Sequence, residues 1–310
     1  LLRIYYDPAF LLHDAGIAHP ESPRRLEAIM AAARTITGAQ IIQNCRRATF
    51  EEIELVHTPA YTRQLRNISS DSIVMLDPDT AFSPHSMDAA LKAAGSIMQA
   101  IDFVFENSGN RAFCAVRPPG HHAEPDTPMG FCIFNNIAVG AAYALKNKLA
   151  DKIAIVDWDV HHCNGTQKIF YKSPRVLVIS LHQYPFYPGS GGSFETGEEA
   201  GLGYTINLPM RPGAGDPEYR QAFDEIILPA INNYKPELLM ISAGFDAHKD
   251  DPLAYINLST AFYGEMTTML ADKANNLCRG RIVSVLEGGY DLNVLYDCAK
   301  IHLEMLNENT

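Results

Sequence analysis

The stretch IAIVDWDVHHCNGTQ, residues 153–167, decides how this chain is read. It opens as an apolar run of strand length, 153–156, and ends in two carboxylates, two imidazoles and an Asn. Asp157 and Asp159 flank Trp158, so their side chains leave an extended backbone on one face, and His161 keeps the same parity. Charges this close beyond a buried strand are costly unless a cation or counter-group compensates them. Asp159 and His161 are therefore read as metal ligands. Alone, the stretch would also suit a polar loop capping a strand. Three other stretches decide between the two readings.

Working outward, apolar runs of strand length recur at 3–6, 112–116, 176–180, 205–208, 238–242 and 282–286. Helical spacing occupies 86–106, 134–146, 164–170, 217–233, 259–277 and 292–306. Ser22-Pro23 reads as an N-cap and first helical position ahead of Leu26, Ile29, Met30 and Ala33. Thr49 to Glu52 reads as a capping box, His57 as a packed structural histidine in a helical region, and 71–85 as a loop. Doubly buried strands alternating with helices predict an α/β fold, a three-layer α/β/α sandwich around a mainly parallel sheet. No linker, repeat or low-complexity segment interrupts it, so residues 1–310 are expected to form a single domain.

The polar punctuation falls at the carboxyl ends of four strands. His121 and His122 follow 112–116, Asp157, Asp159 and His161 follow 153–156, Asp246 and His248 follow 238–242, and EGGY, ending in Tyr290, follows 282–286. Open parallel sheets bind ligands beyond the carboxyl ends of their strands. Each piece alone has a plain structural explanation; four in register do not.

Asp159, His161 and Asp246 make a two-carboxylate, one-imidazole set with an open position, the arrangement of a catalytic zinc site. Its hard oxygens also suit Fe2+ or Co2+. A metal there lowers the pKa of coordinated water to about 7 and polarises a carbonyl. His121 and His122 can handle protons, with Asp157 holding one imidazole and Asn164 the other. A carboxylate favours the imidazolium more than an amide does, so the Asn-paired histidine is the better general base near neutral pH. Tyr290 can donate its hydroxyl to a developing oxyanion.

RPPGHH, GFCIFNN, DWDVHH with NGTQ, SLH, SAGFDAH with DPL, and EGGY stand in order from HPESPRRL at 19–26 to 287–290. In this the chain resembles the histone deacetylase family of the arginase–deacetylase fold, and its class II branch in particular. The resemblance implies zinc at Asp159, His161 and Asp246. It implies His122 as general base and then acid, His121 as its electrostatic neighbour, Asp157 and Asn164 as their orienting partners, and Tyr290 on the acetyl carbonyl. Phe131 and Tyr187 match aromatic walls of an acyl-lysine tunnel, with the Gly130 carbonyl near the substrate amide. Structural potassium is implied at Asp157, Asp159, His161, Ser180 and Leu181, and at a second site with Phe170, Ser173, Val176 and Tyr204.

Three departures bear on specificity. Cys163 stands where the family usually has Gly, Tyr187 where Phe is commoner, and the loop after His182 is short. Leu258 aligns with the acidic gatekeeper of polyamine-specific relatives, whereas Asp77 and Asp79 offer either an acidic rim or turn residues of DPDT.

The expected substrate is an acetylated lysine of a peptide or protein. A small acetylated amine and a longer-chain acyl-lysine are the alternatives, and a silent acyl-lysine-binding module is the non-enzymatic one. A binuclear ureohydrolase would need carboxylates where His121 and His122 stand. A net charge of −11 argues against direct nucleic-acid binding. No apolar run has membrane-spanning length and no signal-peptide pattern opens the visible chain, although it starts on Leu1 rather than Met. Six scattered cysteines without C-x-x-C predict free thiols, and a cytoplasmic location is expected.

Overall fold

The computed structural model describes residues 1–69 and 71–308. In chain order the elements are β1 (Leu2–Tyr5), α1 (Arg24–Ala33), β2 (Gln40–Ile42), α2 (Phe50–Ile53), α3 (Pro59–Arg66), β3 (Val74–Met75) and β4 (Ala81–Phe82). Next come α4 (Ser86–Glu106), β5 (Arg111–Cys114), α5 (Asn136–Lys146), β6 (Ile153–Asp157), α6 (Asn164–Phe170), β7 (Val176–Gln183) and β8 (Thr205–Met210). The remainder is α7 (Asp216–Ala222), α8 (Leu228–Tyr234), β9 (Leu238–Ala243), α9 (Thr260–Leu277), β10 (Ile282–Leu286) and α10 (Leu292–Glu308).

Eight strands form one sheet in the order β2-β1-β5-β10-β9-β6-β7-β8, and every neighbouring pair is parallel. All residues of β5, β6, β7, β9 and β10 are buried, which requires cover on both faces. Strand parity shows the two covers. Met240, paired with Val283, reaches Gly140 of α5. One residue along, Ser284 bonds His302 of α10 at 2.9 Å. Helices α1, α10, α9 and α8 pack in succession, as do α4, α5 and α6. The predicted α/β/α sandwich with a parallel sheet is what the chain forms.

Some local expectations are corrected. α1 begins at Arg24, and its N-cap is Pro23 without a side-chain bond, so Ser22 is not the cap. The capping box of Thr49 and Glu52 is present, but it opens a helix of a single turn. His57 lies in the turn between α2 and α3. It is buried against Tyr61 and Phe134, and its Nε2 accepts from the Asn135 amide. Residues 71–85 contain the hairpin β3–β4, whose turn Asp77 caps by accepting from the amides of Asp79 and Thr80. The helix expected over 217–233 is broken by a π turn at Phe223–Ile227. Pro229 lacks the N–H that would continue the regular ladder there. All six cysteines are buried free thiols. Among the described residues no helix is long and apolar enough to cross a membrane.

Several histidines outside the candidate ligand and proton-transfer set are buried in neutral form. Burial lowers His13, His57 and His162 to about 4, and His182 and His302 to about 3. The unfolded chain takes up these protons near pH ~6.5. The stability that depends on these neutral histidines is therefore complete above that value and lost as pH falls from it toward 4. The urea midpoint is expected to be lower at pH 5 than at pH 7; an unchanged or higher midpoint at pH 5 contradicts this balance.

Candidate active site

The four strands carrying the polar ends, β5, β10, β9 and β6, are consecutive in the sheet. Their carboxyl ends therefore converge, and the side chains predicted from separate parts of the chain meet. Ligand atoms of Asp159, His161 and Asp246 all lie within 4.8 Å of one another. His161 Nδ1 is 3.0 Å from Asp159 Oδ1 and 3.3 Å from Asp246 Oδ2. The other oxygens are held by backbone. Gly288 N donates to Asp159 Oδ2 at 2.7 Å and Val160 N to Asp246 Oδ1 at 2.9 Å. A Cβ at Gly288 would collide with both carboxylates, which is why the EGGY turn needs glycine there.

Asp246 Oδ2 is buried and has no hydrogen-bond partner. An orphaned carboxylate oxygen costs several kcal/mol unless a cation satisfies it (roughly 1–3 kcal/mol even for a neutral group). Hard oxygens and one imidazole facing a common point fit a divalent cation of the zinc type.

The His pair lies against this cluster. His121 Nδ1 is 3.0 Å from Asp157 Oδ2, and His122 Nδ1 is 2.7 Å from Asn164 Oδ1, with ring centroids 4.0 Å apart. Burial alone would lower His121, but Asp157 and then Asp159 outweigh it and raise it to about 10. Burial pushes His122 well below its ordinary value, and the charges of His121 and His161 push it further. One ring is thus a cation and its neighbour a neutral base, the asymmetry that the Asp and Asn partners predict.

Beyond the rings a cavity of about 200 Å³ opens, walled by Phe131, Tyr187 and Tyr290 among others. Phe131 meets Tyr290 edge-on at 6.0 Å, Tyr187 meets His122 edge-on at 5.2 Å, and Phe186 stacks on His161 at 5.6 Å. Gly130 and Phe131 both have positive φ, +57° and +68°. That unusual backbone is pinned by Asp79 Oδ1 accepting from Gly130 N at 3.0 Å and Thr80 Oγ1 from Phe131 N at 3.2 Å. Asp79 thus lines the cavity, while Asp77 caps the turn.

One rim assignment is wrong. Leu258 is fully buried, donating from its amide to the Ala247 carbonyl. The leucine of this loop that lines the cavity is Leu253. Asp251 turns the chain there, accepting from Leu253 N through one oxygen and from Tyr290 N through the other, so DPL meets EGGY at the cavity mouth. That Asp-Pro turn was the available signal. Cys163 has φ −77°, outside the left-handed region that favours glycine, so its side chain brings no strain of that kind. Burial also pushes its thiol well above the ordinary value, away from the reactive thiolate.

Some of the positions implied for potassium are neighbours. Asp157 pairs with Ser180 across β6 and β7, beside Leu181. At the start of β7, Ser173 N donates to Phe170 O, and Tyr204 O accepts from Val178 N, two residues from Val176.

Sequence reasoning missed the buried charges behind the site. Glu287 accepts from the amides of Gly120 and His121, and burial raises it to about 7. Glu21, in the loop before α1, pairs at 2.9 Å with Arg25 and at 2.5 Å with Arg117. Arg25 in turn donates to the carbonyls of Glu287 and Gly289, and its guanidinium lies 5.0 Å from the Tyr290 ring. Glu124, which binds Asn164, was also missed.

The chain is similar to known proteins. A family profile described as "Histone deacetylase domain" matches residues 19–306. A "Probable deacetylase" of Archaeoglobus fulgidus is 41% identical over 93% of this chain and 81% of its own length. The "Histone deacetylase-like amidohydrolase" of Pseudomonas aeruginosa is 37% identical over 94% of this chain and 78% of its own. The crystal structure of the HDA15 HD domain superposes with a TM-score of 0.92 at 39% identity, covering 98% of this chain and 87% of that one. With the metal-type cluster, the paired imidazoles and the tyrosine in one cavity, these matches establish that the chain belongs to the histone deacetylase family and is a hydrolase of amide bonds.

Proposed function

We propose that this enzyme removes acetyl groups from lysine side chains of peptides or proteins. The observation that carries the reading is the aromatic-walled cavity lined by His122, His161 and Tyr290, with Asp159 and Asp246 grouped around His161. The extended aliphatic stem of an acyl-lysine suits such walls, and its amide would come to rest at the buried end.

Asp159, His161 and Asp246 would hold a divalent cation, zinc above all and Fe2+ or Co2+ by the same chemistry, which would supply a Lewis acid for the amide carbonyl and for water. The rest is done by side chains of this protein. With Nδ1 turned to Asn164, His122 presents Nε2 to the cavity, neutral and able to take a proton from the attacking water. It returns that proton to the lysine amine as the C–N bond breaks. His121, held as a cation by Asp157, stabilises the negative charge that develops beside it. The Tyr290 hydroxyl, whose pKa is raised by burial, stays protonated and donates to the carbonyl oxygen. Phe131 and Tyr187 flank the stem, and the Gly130 carbonyl accepts from the substrate amide. Potassium ions at the two positions named above would fix the loop of Asp157, Asp159 and His161 and the start of β7.

The test compares kcat/KM of the zinc-loaded enzyme on an acetyl-lysine peptide and on acetylputrescine. The peptide is expected to be preferred at least about tenfold, because the residue of this loop that lines the cavity is the apolar Leu253 and not an acid that would pair with a free amine. Equal or reversed preference would overturn the lysine assignment and move attention to Asp79 as an amine-binding group.

A further inference from the structure

We propose that Glu124 is a positioning residue. It fixes which end of the Asn164 amide faces His122, and so fixes which ring nitrogen of His122 carries the proton. The inference rests on the role proposed for His122 above.

An amide side chain can turn end over end with almost no change of shape, exchanging an acceptor for a donor. The carboxylate that holds His121 has no such ambiguity, since both of its oxygens accept. Asn164 does have it, and the chemistry depends on the outcome. With Oδ1 toward His122, 2.7 Å away, the Nδ1 of a neutral ring must carry the hydrogen, and Nε2 keeps a free lone pair. With the amide reversed, Nδ2 would donate to Nδ1, the hydrogen would move to Nε2, and the ring would face the cavity with nothing able to accept a proton.

The surroundings of Nδ2 choose the first arrangement. It lies 3.0 Å from Glu124 Oε1, 3.3 Å from the His122 carbonyl and 3.1 Å from Met129 Sδ. All three are acceptors, so a reversed amide would place Oδ1 against each of them. Two are weak: a long contact to a neutral carbonyl and a thioether. Glu124 alone brings a charge, and charge-assisted bonds are about twice as strong as neutral ones. Its own geometry is fixed from outside. Lys168 holds the second oxygen at 2.5 Å, one helical turn after Asn164 on α6. Glu124 N also donates to Thr127 O, closing the loop that carries the carboxylate. The line from the surface to the reacting ring is thus Lys168, Glu124, Asn164, His122.

The resting tautomer is read directly from histidine ring 15N shifts of the zinc-loaded, labelled protein. Wild type is expected to show His122 with Nδ1 protonated and Nε2 bare, and Glu124→Ala to move it toward the opposite tautomer. In turnover, Glu124→Ala is expected to lower kcat at least about tenfold, part of the ~10²–10⁴ that a positioned base supplies, with KM within about twofold. Glu124→Gln, which can still present an oxygen to Nδ2, recovers part of the loss. If Glu124→Ala fails to fold, Glu124→Met fills the same space without a strong acceptor and carries the same measurements.

A second comparison separates orientation from mere support. Asn164→Asp makes the partner of His122 an acceptor in either orientation and sets two carboxylates against each other. In that background Glu124→Ala is expected to raise kcat, the reverse of its effect on wild type. An equal loss in both backgrounds, or an unchanged His122 tautomer in folded Glu124→Ala, overturns the proposal. The tautomer needs no substrate, so it judges Glu124 even if the wild-type enzyme proves inactive on acetyl-lysine, a result that would count against the proposed function alone.

Discussion

His122→Ala is expected to leave a folded enzyme whose kcat on an acetyl-lysine peptide is down by about 10²–10⁴-fold, the contribution of a positioned general base. Tyr290→Phe should lose about 10²–10³-fold, as removal of one oxyanion donor does. Neither change opens the core. His122 makes one side-chain hydrogen bond, to Asn164, and Tyr290→Phe removes only a hydroxyl at the cavity wall. The two variants should therefore unfold in urea near the wild-type midpoint while differing from it sharply in turnover. The pattern within kinetics matters too. Tyr290 acts on the carbonyl as charge builds, so its loss should appear in kcat far more than in KM. Near-normal kcat in either variant would remove that residue from the mechanism.

Glu21→Gln is expected to produce the largest loss of stability from a single side chain, about 3–5 kcal/mol, because it leaves buried guanidinium groups without a counter-charge. Glu21, Arg25 and Arg117 are all fully buried, and Glu21 accepts from both arginines. Burial would raise the Glu21 carboxyl, but Arg117 and then Arg25 outweigh it and hold it well below the ordinary carboxylate range. Its contribution is present above the unfolded-state value of about 4.5 and is lost as pH falls toward the depressed folded value. The difference in unfolding free energy between wild type and Glu21→Gln should thus be flat from pH 7 to about 5 and shrink below that. A difference under about 1 kcal/mol at pH 7 would mean that the arginines find other partners. Activity should fall as well, since Arg25 carries the ion pair to the Gly289 carbonyl and the Tyr290 ring.

The parts of this molecule that were legible in the sequence are those in which a short stretch carries its own physics. The strand of 153–157 announces itself by being wholly apolar up to its first carboxylate, and the parallel sheet follows from several such runs separated by helical spacing. The ligand set was legible because costly groups are tolerated only at strand ends, where a site can use them. What could not be read depends on partners far apart in the chain. HPESPRR looks like a polar surface loop, yet its Glu21 and Arg25 are buried because Arg117, 96 residues beyond Glu21, and Glu287, 262 beyond Arg25, complete them. Leu258 and Leu253 are both apolar residues of one loop. Only the turn at Asp251 and the bridge between His248 and Leu258 decide which one points outward and which inward. Glu124 was passed over for the same reason: nothing local says that a glutamate two residues after His122 folds back onto an Asn forty residues later.

The position of β10 has a consequence for how the protein is made. It is the last strand of the described chain, yet it sits near the middle of the sheet, between β5 and β9. Until residues 282–286 leave the ribosome, two strands that are wholly buried in the finished fold face each other across an unfilled slot, each with an open edge. The nascent chain can assemble β6, β7 and β9 side by side, but it cannot join them to β1 and β5. Closure of the sheet waits on contacts between residues more than a hundred apart, which makes it slow and leaves sticky edges exposed meanwhile. Because EGGY follows β10 directly, the same late insertion brings Gly288 and Tyr290 to the other catalytic groups. A ribosome-bound chain stopped before residue 282 should be protease-sensitive and held by chaperones, and the enzyme becomes active in the same event that makes it a stable protein.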